Sequence, residues 1–89
     1  MRAARTDANH GEIVQAYRDH GWRVLSLARL GDGAPDLLVA DQAEQLHLVE
    51  VKTPKGRMRP QQEYFTAQGW FVRVVRSVDD VRRHCAGFP

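Results

Sequence analysis

The sequence predicts a mixed α/β domain with helices packed on a central sheet, in the order α-β-β-β-α-β-α. Three observations predict it. Four short apolar stretches, at 22–28, 36–40, 46–53 and 70–76, have strand length and are bounded by turn residues. Residues 9–20 carry apolar side chains at helical spacing, and a capped helix opens at Ser77. The first three strands follow one another closely enough to form a meander. The fourth returns through a helix and so should add parallel to one of them.

The first helix is expected from Asn9 to His20, with Ile13, Ala16, Tyr17 and His20 on one face. Thr6, Asp7 and Asn9 are its candidate N-caps, and Gly21 suits the C′ position after its end. Strand one should run from Trp22 to Ala28. "GDGAP" at 31–35 breaks the chain before strand two, Asp36 to Ala40, and "DQAEQ" turns it into strand three, Leu46 to Thr53. "PKGRMRP" reads as a loop. Pro60 then suits the first turn of a short second helix ending at Gly69. Strand four is Trp70 to Arg76. Ser77 with Asp80 three residues on makes a capping box for a last helix reaching about His84, with Asp79 and Asp80 favouring its N-terminus.

The 89 residues make one small domain, for which dimerisation would be a natural support. No apolar run approaches the roughly 18 residues of a membrane span, and the N-terminus lacks the apolar region of a signal peptide. The single cysteine, Cys85, excludes an internal disulfide, suits a reducing cytosol and reads as a small apolar filler. The four histidines show no metal-ligand spacing, and His47 should point to the sheet face opposite Glu50. Tyr64, Phe65, Trp70, Phe71 and Trp22 read as core or interface residues. Charge is uneven: residues 1–50 carry a net −3 and residues 51–89 a net +5. Lys52, Lys55, Arg57 and Arg59 fall in an acid-free stretch, which suits a phosphate-contacting arm on a protein that binds a polyanion.

The chemistry concentrates in "LHLVEVKTPKG", residues 46–56. Alternation sets Val49 and Val51 on one face and Leu48, Glu50 and Lys52 on the other. Such a charged pair is either the solvent face of an edge strand or a site. The hairpin through "DQAEQ" has its axis near residue 43, so Asp36 should lie opposite Glu50 with Cβ atoms about 5 Å apart. Two carboxylates that close repel one another, and a divalent cation removes the penalty. Lys52, about 7 Å further along the same face, is placed to touch a water or a phosphate oxygen. Acid, acid and lysine around a cation suit phosphodiester hydrolysis.

Pro35-Asp36, thirteen intervening residues, then Glu50-Val51-Lys52 resembles the PD-(D/E)XK nuclease signature. "GAPDLLV", "LVEVKTPKGRMRPQQEYF" and "GWFVRVVRSVDDV" narrow the resemblance to the VRR-NUC family, virus-type replication-repair nuclease domains, over about residues 9 to 84. The size is that of the stand-alone members found in phages and bacteria. The resemblance implies a restriction-endonuclease-like core and a Mg²⁺- or Mn²⁺-dependent endonuclease selective for branched DNA such as four-way junctions. It also implies a homodimer in the cytoplasm, without a nucleotide cofactor or a membrane. Asp36 and Glu50 would bind the metal, joined by the Val51 backbone carbonyl and by Glu12 on the first helix. Lys52 would position or activate the attacking water, with Gln62 contacting that region; Gln61 beside it could fill the same place. The sequence departs from the family in its second helix, about one turn short. A nickase, a flap nuclease or a defence enzyme on the same site is an alternative, as is a DNA-binding module that cuts poorly.

Overall fold

The computed structural model describes residues 9–57 and 67–89. Its elements are α1 (His10–Asp19), β1 (Arg23–Ser26), β2 (Leu37–Ala40), β3 (Leu46–Val51), β4 (Val72–Val75) and α2 (Val78–Cys85). The order agrees with the sequence reading. The expected helix after Pro60 falls mostly outside the described residues, with Arg59, Gln61, Gln62, Tyr64 and Phe65.

The sheet runs β1-β2-β3-β4, antiparallel except for the parallel β3–β4 pair. Strand β3 is therefore paired on both sides. All four strands are shorter than their apolar runs. Trp22 precedes β1 and turns its indole into the core, while Leu27 continues the contact with β2 by donating its N–H to the Asp36 carbonyl at 2.8 Å. Between β1 and β2, Gly31, Asp32 and Gly33 have φ of 68°, 54° and 77°, a left-handed run that glycine adopts without strain. The β2–β3 turn is organised by Asp41, whose Oδ1 accepts from the N–H groups of Ala43 and Gln45.

The core lies on one face of the sheet. Ile13, Ala16 and Tyr17 of α1 and Val81 of α2 cover Leu37, Val39, Val49, Val51 and Val75. Each buried Val, Leu or Ile among them contributes about 1.5–3 kcal/mol relative to exposure. Trp70 and Phe71 are exposed, so they do not belong to this core.

Two caps differ from the expected pattern. Asn9 occupies the N-cap of α1 without a side-chain capping bond. Its Nδ2 instead donates to the carbonyls of Lys52 and Arg76, tying the helix to the ends of β3 and β4. At α2 the Asp80 N–H donates to Ser77 Oγ as a capping box requires, but the Asp80 carboxylate accepts from the Arg76 N–H, one residue earlier than the motif. Gly21, with φ of 80°, follows the end of α1 in the expected left-handed position.

Candidate active site

Register builds the site. Leu37 pairs with Val49, and one further step sets Asp36 opposite Glu50. Both then project to the face away from the core, as alternation required. The Asp36 Oδ2 accepts from the Val51 N–H at 2.8 Å, which fixes the carboxylate across the end of β3. Its second partner is the Glu50 carboxyl.

Glu50 is 2% exposed and Lys52 5%, although they stand on the face opposite the main core. Lys52 Nζ lies 3.5 Å from Glu50 Oε2. A solvent-facing ion pair is thereby excluded. Burial, and then the negative charge of Asp36, push the Glu50 carboxyl up to about 7, with Lys52 pulling the other way. A buried carboxylate set against a second, half-buried one and braced by one lysine is weak as a stabilising device and characteristic of a functional site.

The backbone around Lys52 is held from three directions. Its N–H donates to the Val75 carbonyl at 3.0 Å, and its carbonyl accepts from Asn9. The chain then turns, Gly56 N–H donating to the Thr53 carbonyl, and Arg76 Nη1 donates to the carbonyls of both Thr53 and Gly56. Lys55 and Arg57 stand exposed on this loop beside the site.

Glu12 is exposed in the first turn of α1. Among the described residues no group of three or more His, Cys, Asp and Glu is gathered to hold a metal, so Glu12 does not join Asp36 and Glu50 here. Those two still fit a hard divalent cation by their chemistry: oxygen donors, Glu50 buried and Asp36 half-buried, mutually repelling, and relieved by positive charge. Residues that the sequence reading assigned only locally complete the picture. Asn9 and Arg76 position the strand end bearing Lys52, and only their long-range contacts reveal it. On the core face His47 and His84 meet, 37 residues apart in sequence, with Nε2 of His84 3.4 Å from Nδ1 of His47. Asp41 bonds His47 and Tyr17 bonds His84, completing a chain of four polar side chains.

The VRR-NUC domain family matches residues 2–79. A solved structure described as a VRR_NUC domain is 29% identical, over 90% of this chain and 92% of that one, with a TM-score of 0.66. Among curated proteins none matches. With the matched region spanning the carboxylate pair, Lys52 and all four strands, the chain belongs to the VRR-NUC domain family, a family of nuclease type.

Proposed function

We propose that this protein is a metal-dependent, structure-selective DNA endonuclease that hydrolyses phosphodiester bonds in four-way junctions or other branched DNA, acting as a homodimer. The observation that carries the reading is buried Glu50, with half-buried Asp36 against it and Lys52 Nζ at 3.5 Å. Asp36, Glu50 and the Val51 carbonyl would hold Mg²⁺ or Mn²⁺, with Glu12 as a further carboxylate from α1. Such an ion, when bound, lowers the pKa of water and offsets charge developing on phosphorus oxygens.

The chain's own groups supply the rest. The Val51 N–H and the Leu27 N–H hold Asp36 in place from both neighbouring strands. Lys52 presents an ammonium, anchored through its own backbone, that can orient an attacking water and steady a phosphoryl oxygen. Attack in line on phosphorus would leave a 5′-phosphate and a 3′-hydroxyl. Gln62 would contact the nucleophile region. Lys55, Arg57 and Arg59 would track the backbone, with salt-sensitive binding. Two sites related by a two-fold axis match the pseudo-symmetry of a four-way junction.

The test is cleavage of a labelled junction beside a linear duplex of the same sequence, in Mg²⁺, Mn²⁺ or EDTA. Metal-dependent cutting of the junction, lost in Lys52→Ala, is expected. Equal cutting of both substrates would overturn the junction preference. No cutting by the folded protein in either metal would overturn the nuclease reading.

A further inference from the structure

An open cleft of about 490 Å³ lies away from the Asp36–Glu50 pair, around the edge of β4 that no described strand covers. Arg73, Arg76, Arg83, Asp80 and Phe88 line it. Three guanidinium groups thus face the Asp80 carboxylate, with Pro89 and its terminal carboxylate also on the lining. The Asp80 carboxylate is engaged by the Arg76 backbone N–H at 2.8 Å, and among the described residues none of the three arginines has an ion-pair partner. Arg76 meets only carbonyl oxygens, which leave its charge uncompensated.

Arg73 carries the sharpest signal. Its Nη1 donates to the Phe88 carbonyl at 3.1 Å, while its Nε is buried with no hydrogen-bond partner among the described residues. Leaving a buried donor unmade costs about 1–3 kcal/mol, more for a charged group. Its positive charge also reaches the interior, where it helps hold the His84 imidazole low. An anion in the cleft relieves both penalties. Planar, forked guanidinium groups suit phosphate oxygens in particular. Phe88, mostly exposed, adds an apolar wall on which a sugar or base can lie.

Position names the anion's source. Arg76 joins this cleft to the loop bearing Lys55 and Arg57, and its carbonyl and that of Lys52 share Asn9. Arg76, one step past the Val51–Val75 pair and so opposite Lys52, is the link to the site, whereas Arg73 pairs with Val49 on the core face. We infer that the Arg73–Arg76–Arg83 cleft binds a backbone phosphate of the nucleic-acid strand, beyond the one to be cut at the Asp36–Glu50–Lys52 site. Its ligand rests on the nuclease reading; its anion chemistry does not.

The test is fluorescence anisotropy of a labelled single strand and a junction in EDTA, from 50 to 200 mM KCl. It compares wild type with Arg83→Gln and with Arg73→Gln/Arg83→Gln, each checked for native circular dichroism. Each lost phosphate contact should flatten the log–log salt slope by about 0.7–0.9. With one phosphate in the cleft, the loss should be partial in the single variant and reach that one full increment in the double. Arg83→Gln keeps the test decisive if the double variant unfolds. An unchanged slope in Arg83→Gln and in any folded double variant overturns the cleft. Wild-type cleavage in Mg²⁺ is scored separately. Slope loss without wild-type cleavage sinks the nuclease reading and keeps the cleft, whereas cleavage with unchanged slopes does the reverse. Inorganic phosphate, followed at the Arg73 Nε–H resonance, separates the sources. A response to phosphate with none to the oligonucleotide would assign a free anion and overturn the inference.

Discussion

The Lys52 ammonium stands 3.5 Å from the Glu50 carboxylate with their side chains 7% and 2% exposed, and Asp36 faces the same carboxylate across the β2–β3 ladder. One cation thus serves two acids, Glu50 nearly closed to water and Asp36 half-buried. Two acids against one lysine leave a negative charge that a second cation would offset, and the protein's behaviour with and without it is measurable.

Glu50→Gln is expected to abolish cleavage and to stabilise the metal-free protein. The Glu50 carboxyl is raised from 4.5 to about 7 in the fold. An acid raised in this way contributes stability that is complete below the unfolded value and lost as pH rises through the folded one. At pH 8 in EDTA, Glu50→Gln should therefore be more stable than wild type by roughly 1–3 kcal/mol, the gap narrowing toward pH 5. Urea denaturation at the two pH values checks it.

Saturating Mg²⁺ or Mn²⁺ should raise the melting temperature of wild type and leave that of Glu50→Gln nearly unmoved. Ligand at a hundredfold its Kd adds about 2.7 kcal/mol to the state that binds it. Glu12→Gln, run in parallel, reports whether the α1 carboxylate shares the ion. An equal rise in every variant would move the metal elsewhere.

Lys52→Ala should lower cleavage by about 10²–10³-fold, the range for removing one group that stabilises a transition state. Binding to DNA in EDTA should change little by comparison. Single-turnover kinetics beside anisotropy separates the two quantities.

His84 gives the opposite pH trend. Burial, helped by Arg73 and His47, holds its imidazole at about 4 against an ordinary 6.5. The folded state takes up its proton later than the unfolded chain, so stability should fall as pH drops from about 6.5 to about 4 and be flat above. The slope cannot exceed about 1.4 kcal/mol per pH unit for one proton. Trp22 stacks on His47 with ring centroids 5.1 Å apart, so its fluorescence should report the change. His84→Gln should remove the slope and leave the Glu50 trend visible alone.

Asn9→Asp tests the clamp on β3 and β4. The carboxylate cannot donate to the carbonyls of Lys52 and Arg76, and two hydrogen bonds at about 0.5–1.5 kcal/mol each are lost. Stability should fall by roughly 1–3 kcal/mol, and cleavage should fall with it because Lys52 loses one of its anchors.

The Asp36–Glu50 pairing was legible because a hairpin axis at residue 43 fixes every partner along β2 and β3, and side-chain alternation then fixes the face. Strand ends were not. Trp22 belongs to an apolar run but serves the core from outside β1, since hydrophobicity reports burial and not ladder pairing. Asn9 fitted a capping preference, yet tertiary demand at two distant carbonyls overrode it. The meeting of His47 with His84 had no local signal at all: it arises where α2 packs over β3. Glu12 shows the converse, a residue whose place on the helix was right and whose gathering with Asp36 and Glu50 the described structure does not display.

The parallel closure of β4 on β3 has a consequence in time. Lys52 depends on the Val75 carbonyl, and the loop after it depends on Arg76. Both emerge from a ribosome well after Asp36, Glu50 and Lys52 themselves. A nascent chain can close the β2–β3 hairpin early, since its contacts are local, but the long-range β3–β4 pairing comes later. The cutting residues are thus synthesised before the frame that arms them, and a chain interrupted before Val72 would carry the motif without the geometry.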